Sequence, residues 1–439
     1  MNKLKNDKVN ICISYIITLL FDAILGTIIG LIIGLYQMGI RYIEKLNEYI
    51  YTSKNITILS IMFVVVILLS IFNFMLIKTC PNIEGSGMPN LILGIRKHKR
   101  IDWKKGTICM ILNSYISTFS GFPLGSEGIS IVIAGKIGKM AQDITKKDYP
   151  DDLYLATGAG FGASYISPIS GLFYVFEEAL KKFNFKLLPR ALIMTIMSSY
   201  MCFLLNHHQL LELHSFSLPN YDQLYILILL MAVNVPICYL FFKLIIFFKE
   251  FFLKFDHLFI IKYRVFIFFP IVFILNIFMF EFMGSGSRIV EMKFIDYPVY
   301  IILGILVFRI LITSIFGTGK VSGGLIIPIM TIGALTGEIC ASICTSFFNM
   351  SSNLYSLVIL ISMCMVLAII NKCPLTATAL VFTTIFNYTN DLIPCFILLP
   401  FTLISFYLSN LIFKQFEHHD LYDSFATLNL IHHLKSMKY

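Results

Sequence analysis

The residues with chemical potential in this chain gather where small, flexible residues interrupt apolar ones. Gly85-Ser86-Gly87-Met88-Pro89, Gly125-Ser126-Glu127-Gly128-Ile129-Ser130 and Gly323-Gly324-Leu325-Ile326-Ile327-Pro328 each place glycine ahead of residues that can open a helix. Two of them carry a proline, which fits the first helical turn because no N–H is needed there. A helix start presents unpaired N–H groups and the positive end of the helix dipole, so it holds an anion without a full positive charge. Partial charges bind weakly enough to release the ion, whereas a lysine would hold it too tightly for transport. Tyr422, in His419-Asp420-Leu421-Tyr422-Asp423, is a fourth position of interest. For any one motif alone, the competing reading is that glycine merely lets helices pack closely.

Three carboxylates shift that balance. Glu127 and the pair Glu177-Glu178 stand in apolar surroundings, residues 122–134 and 171–180. A charged side chain at mid-membrane costs at least ~2.5–3.5 kcal/mol, so such residues are usually functional. A glutamate among anion-binding amides can exchange between protonated and ionised forms, and when ionised it competes with the anion. For Glu177 and Glu178 a second reading stands beside this one, a helix end paired with Lys181 or Lys182. Lys320 reads as a solvated loop residue.

The elements that must position these groups follow from composition. Of 439 residues, 57% are hydrophobic and only 13% charged, with a mean hydropathy of +0.82. Soluble proteins carry about 25% charged residues, so the excess apolar surface must face lipid. A spanning helix needs ~20 apolar residues. Candidates are 15–36, 56–77, 191–205, 224–248, 265–283, 299–315, 354–370 and 392–412. Residues 80–180 and 317–350 are apolar on average but broken by Gly, Ser and Pro, and read as too interrupted for ordinary spans. Broken helices at membrane depth persist only where they are buried in protein or line a cavity.

The net charge of +9 reads as topology, with no nucleic-acid partner. Basic clusters at 96–105, 146–147 and 181–186 predict a cytoplasmic face, 206–223 lacks Lys and Arg and is expected outside, and Lys3, Lys5 and Lys8 place the N-terminus inside. The apolar run behind those lysines is too long for a signal peptide and reads as the first span. Seven cysteines, among them Cys109 and Cys395, sit singly in apolar runs without a CxxC pair, as small apolar residues do. The histidines form adjacent pairs, 207–208, 418–419 and 432–433, whose members point apart on a helix, so no metal and no cofactor are expected. No HExxH or GxSxG arrangement supports an enzyme, and no catalytic residue is assigned.

Two intervals match. Gly85 to Gly125 and Gly284 to Gly324 are each 40 residues, and each begins with Gly-Ser-Gly. A transporter built from two repeats has this pattern.

Taken together and in order, these motifs resemble those of the CLC family of chloride channels and proton-coupled chloride transporters. Gly85–Pro89 is similar to its GSGIP motif, Gly125–Ile129 to G(K/R)EGP, and Gly324–Pro328 to GxFxP. Ser167–Glu178 resembles the family's helix ending in paired glutamates. With residues 373–377 and Tyr422, the resemblance runs from about residue 14 to 430. It implies an all-α polytopic membrane protein, a CLC-type inverted repeat of tilted, broken transmembrane helices. The implied divisions are an N-terminal arm (1–13), a transmembrane domain (14–414, halves 14–206 and 223–414) and a C-terminal segment (415–439) without CBS domains.

The resemblance also implies roles. Ser86 and Tyr422 would donate hydroxyls to a central chloride, with the N–H groups of Leu325 and Ile326. Gly85, Ser126, Gly128 and Ile327 would complete the anion-binding set. Glu127 would be the external gate and proton acceptor, and Glu178, beside Glu177, the internal proton-transfer residue. Implied partners are chloride, with other halides or nitrate as related anions, protons, the lipid bilayer of the plasma membrane and a second subunit in a homodimer. Three positions depart from the family pattern. Ser126 replaces Arg or Lys, Ile129 replaces Pro, and Ile326 replaces the Phe of GxFxP. Retention of both Glu127 and Glu178 nevertheless makes proton-coupled chloride exchange the implied activity, with an uncoupled channel as the alternative. The fluoride-exporting branch typically has Met at the Ser86 position and a carboxylate among the counterparts of Gly324–Pro328. Neither is present, which favours chloride.

Overall fold

Inside a bilayer a backbone N–H finds no water, so a chain this apolar satisfies its peptide groups within helices. The computed structural model describes residues 2–96, 101–146, 150–206, 225–292, 294, 297–348, 352–389, 393–412 and 421–436. The expected outer loop 207–223, residues 97–100 and 147 of the basic clusters, and His418 and His419 lie outside the described residues. Among the described residues there is no strand, only two isolated bridges between loops.

The first half comprises α1 (Asn2–Ser53), α2 (Ile56–Thr79), α3 (Met88–Arg96), α4 (Lys104–Phe119), α5 (Glu127–Thr145), α6 (Pro150–Tyr165), α7 (Pro168–Tyr174) and α8 (Leu188–Leu205). The second comprises α9 (Tyr225–Lys254), α10 (Phe259–Lys262), α11 (Val265–Met279), α12 (Ser287–Glu291), α13 (Val299–Phe316), α14 (Ile326–Phe348), α15 (Ser352–Asn371), α16 (Pro374–Thr389) and α17 (Ile393–Ile412). The last helix, α18 (Leu421–Ser436), follows them.

Short helices beginning at Gly-rich loops surround the centre, while α1 and α2 expose much of their apolar surface. Helix α1 extends well beyond the expected span because no Gly-Pro break follows residue 36. Its continuation is fastened by Asn47, which donates to the Thr118 carbonyl at 2.8 Å. Gly26, Gly30 and Gly34, four residues apart, form the seam with α8. A Cβ on Gly26 would fall 2.6 Å from the Met194 carbonyl oxygen, so the backbones touch, as small residues permit between membrane helices.

The expectation that residues 317–350 are too interrupted for a span is corrected. Helix α14 is continuous for 23 residues and almost wholly buried. Its Gly333 and Gly337 do not break it. They admit the α15 backbone, with virtual Cβ atoms 2.7 Å from Met363 Cα and Ile359 Cα.

The paired intervals have a backbone counterpart. Gly85 and Gly87 have φ of +66° and +70°, and Gly284 and Gly286 of +67° and +99°. These left-handed values favour glycine, and each pair leads into a short helix. Arg309, fully buried, caps the second loop by donating to the carbonyls of Phe282, Gly284 and Ser285. That loop therefore presents carbonyls to a cation, whereas the first carries Ser86 into the centre of the molecule.

Candidate functional site: a convergence of helix starts

Three loops are joined by backbone hydrogen bonds. The Gly85 N–H donates to the Val321 carbonyl and the Gly323 N–H to the Gly85 carbonyl, both at 2.9 Å; Gly125 and Gly324 bond reciprocally at 2.8 and 2.6 Å. Ser322 reinforces the junction by donating to the Ile83 carbonyl while accepting from Asn113. Three helix N-termini are thereby fixed around one point.

Gly128 marks that point. A Cβ there would lie 3.1 Å from Gly324 Cα, 3.2 Å from Ser86 Cβ and 3.9 Å from the Tyr422 hydroxyl. Ser86, Gly128, Gly324 and Tyr422, from four distant stretches of chain, thus meet. Tyr422 is buried on α18, and Ser86 Oγ accepts from the Met88 N–H at 3.3 Å, leaving the hydroxyl proton available. In α14 the first intrahelical donor is Ile329, to Leu325. The N–H groups of Ile326 and Ile327 precede it and Pro328 has none, so this end is an electropositive, uncharged surface. In α5 the first donor is Ser130, to Ser126, and Glu127, Gly128 and Ile129 precede it.

The Glu127 carboxylate folds back over its own helix start. A Cβ on Gly125 would lie 2.3 Å from Oε2, so only glycine leaves room for it. Ser126 Oγ donates to Oε1 at 3.0 Å, with Gln37 as the alternative acceptor at 3.3 Å. Oε2 has no hydrogen-bond partner. Where the resembled motif has a cation, Ser126 supplies a neutral donor.

The two adjacent glutamates separate. They lie on a π-helical turn, Val175–Ala179. Glu177 reaches the start of α16, accepting from the Leu375 N–H at 2.8 Å and from the Thr376 N–H and hydroxyl at 2.7 Å. It thus caps a helix in trans and does not pair with Lys181 or Lys182. Lys181 instead binds Asp423, as does Arg96 at 2.8 Å, which fastens α18 and therefore Tyr422 to α3. Glu178 is buried, 4% exposed.

A cavity of about 520 Å³ is lined by Lys78, Lys249, Lys262, Arg264 and Lys320 against Glu84 and Asp256. It shares Glu84, Lys249 and Asn429 with a small cavity lined by Ser86 and Leu325. Lys320 is therefore not simply solvated, since it bonds Asp256 at 2.7 Å on the wall of this vestibule. Sequence reading also missed Arg190, which bridges Asp22 and Asp152 at 2.6 and 2.7 Å, and Glu338, a buried acid bonded by Tyr355. Their partners are too distant in sequence to leave a local signal.

The sequence model of the voltage gated chloride channel family matches residues 68–410, and the chain belongs to that family, one of channels and transporters. Its fold is similar to that of a slow cyanobacterial Cl⁻/H⁺ antiporter at 18% identity, TM-score 0.82, covering 94% of this chain and 98% of the other. It is also similar to a CLC-type fluoride/proton antiporter at 15% identity, TM-score 0.74, with coverages of 94% and 98%. A eukaryotic CLC transporter matches at 15% identity, TM-score 0.73, over 95% of this chain and 75% of that one. The protein is a multi-pass integral membrane protein of CLC fold whose family activity is anion transport.

Proposed function

We propose that this protein exchanges chloride for protons across the membrane, with Glu127 as the outer gate and Glu178 as the inner proton-transfer residue. The observation that carries the reading is the buried Glu127 carboxylate at the start of α5, folded over Gly125 and beside the convergence of Ser86, Gly324 and Tyr422. Ionised, it takes up the electropositive helix start that an anion would use. Protonated, it has no charge with which to compete, and chloride passes. Coupling follows because the same site alternates between proton-bearing side chain and anion.

The anion would be held by the hydroxyls of Ser86 and Tyr422 and the N–H groups of Leu325 and Ile326, with Gly85, Ser126, Gly128 and Ile327 shaping the path. Selection is for chloride, with other halides or nitrate as related substrates, because this set has neither Met at position 86 nor a carboxylate at 324–328. The basic vestibule would concentrate anions at the inner mouth. The protein would work as a plasma-membrane homodimer with one pathway per subunit and a cytoplasmic N-terminus.

Purified protein in liposomes tests this. An outward chloride gradient should drive protons inward against their own gradient; chloride efflux without proton uptake would leave an uncoupled channel. Competition by fluoride stronger than by chloride would point to fluoride export instead.

A further inference from the structure

Tyr165 is the last residue of α6, before a reversal at Ile166, whose φ is +53°. Its side chain is in the protein interior, 7% exposed. The hydroxyl is buried without a hydrogen-bond partner, an uncommon state for a polar group and one that calls for an explanation. If packing alone were needed, phenylalanine would fill the site without that cost.

Three groups of the proposed anion and proton paths lie within its electrostatic reach. Tyr165 interacts electrostatically with Glu127, Tyr422 and Glu178, and with Cys373 at the start of α16. One hydroxyl is thus within electrostatic reach of both glutamates and of Tyr422. The ring is held in place by an aromatic ladder. Phe161 packs on Tyr165 with centroids 5.0 Å apart and stacks on Tyr174 at 4.8 Å. Tyr174 in turn donates to Met88 Sδ at 3.8 Å, two residues beyond Ser86. A clamped ring with a free hydroxyl suits a donor and acceptor of protons better than a space-filler.

We propose that Tyr165 is the relay through which protons pass between Glu178 and Glu127, an inference that rests on the antiport reading above. The phenol oxygen takes a proton from the Glu178 carboxylic acid as its own O–H proton leaves for the ionised Glu127 carboxylate. One O–H bond forms and one breaks, and the tyrosine ends neutral. Rotation of the hydroxyl about its C–O bond resets the relay, and ordered water spans any gap beyond hydrogen-bond reach. In this scheme the proton route runs along one wall of the site and meets the anion route at Glu127.

The test is Tyr165→Phe in full-length protein in liposomes, with proton and chloride fluxes recorded from the same vesicles. Wild-type protein is measured first, and absence of coupled proton uptake there sinks the antiport reading and the relay with it. Given coupling in the wild type, the variant should lose proton flux by about tenfold or more while chloride flux stays within about twofold, so that the proton-to-chloride ratio collapses. An unchanged ratio overturns the relay and leaves the antiport reading standing. The retained chloride flux is the control for folding, because a packing defect at Tyr165 lowers both fluxes together. If Tyr165→Phe lowers both, Phe161→Leu decides: the relay requires that loosening the ladder lower the ratio, and an unchanged ratio rejects it.

Discussion

Gly125 and Gly324 exchange both backbone hydrogen bonds, at 2.8 and 2.6 Å, although they lie in opposite halves of the chain. Each stands 40 residues after its own Gly-Ser-Gly loop, so equivalent points of the two repeats face each other across the site. This contact sets the separation of the α5 and α14 helix starts.

That separation is the first testable quantity. A Cβ on Gly324 would fall 2.8 Å from the Gly128 nitrogen and 3.3 Å from the Gly125 oxygen, so Gly324→Ala must spread the two loops. Misplacement worth ~1.4 kcal/mol is a factor of about ten in rate, and anion flux in liposomes should fall at least that far in protein that still elutes as a folded particle. Wild-type flux in Gly324→Ala would refute the idea that this gap defines the pathway.

Removing the charge at Glu127 should uncouple the two ions. Glu127→Gln is nearly isosteric and stays neutral at every pH, so chloride movement persists while chloride-driven proton uptake vanishes. Persistent proton uptake in this variant would reject the gate assignment.

Glu177 and Glu178 should respond differently despite being neighbours. Glu177→Gln loses much of the three-donor cap on α16 and should cost ~1–3 kcal/mol of stability, seen as a lower melting temperature in detergent, with the proton-to-chloride ratio unchanged. Glu178→Gln should lower that ratio. The opposite pattern would exchange their roles.

Docking of α18 should depend on pH in a defined direction. Burial raises the Asp423 pKa, but the hydrogen bond and charge of Lys181, followed by those of Arg96, outweigh it and leave the group below the usual carboxylate range. A folded value below the unfolded ~3.9 gives stability that is present above that pH and lost as pH falls through the folded value. The stability difference between wild type and Asp423→Asn, followed by thermal unfolding, should be constant from about pH 5 to 8 and shrink below about pH 4. A difference independent of pH down to 3 would exclude the ion pairs as its source.

Arg309 should matter for stability and little for selectivity. It is buried and donates to three carbonyls of the second loop, bonds that Arg309→Met removes together. Hydrogen bonds to charged groups contribute ~1.5–3 kcal/mol each, not additively, so a loss of several kcal/mol is expected in detergent unfolding. The halide preference of the folded fraction should be unchanged; a changed preference would place Arg309 in the anion pathway.

Composition and residue spacing made much of this protein legible in advance. Sparse charge with long apolar runs required a polytopic helical fold, since lipid leaves a backbone no other way to satisfy its N–H groups. Glycine before a helix start is local information, and so Ser86, Glu127 and residues 324–328 could be singled out from their neighbours alone. The equal intervals likewise hinted at two related halves.

What depends on distant partners could not be read that way. Whether glycine breaks a helix or seats another one depends on the surface opposite, which is why α14 is continuous. The different placement of Glu177 and Glu178 depends on α16 being within reach of Glu177. The groups within electrostatic reach of Tyr165 come from α5, α18 and the π-turn after α7, none of which its sequence neighbours specify. The sequence determined which residues can bear charge in lipid, because that cost belongs to the residue itself. Only the tertiary structure decided which of them meet, because convergence depends on how helices from both halves pack.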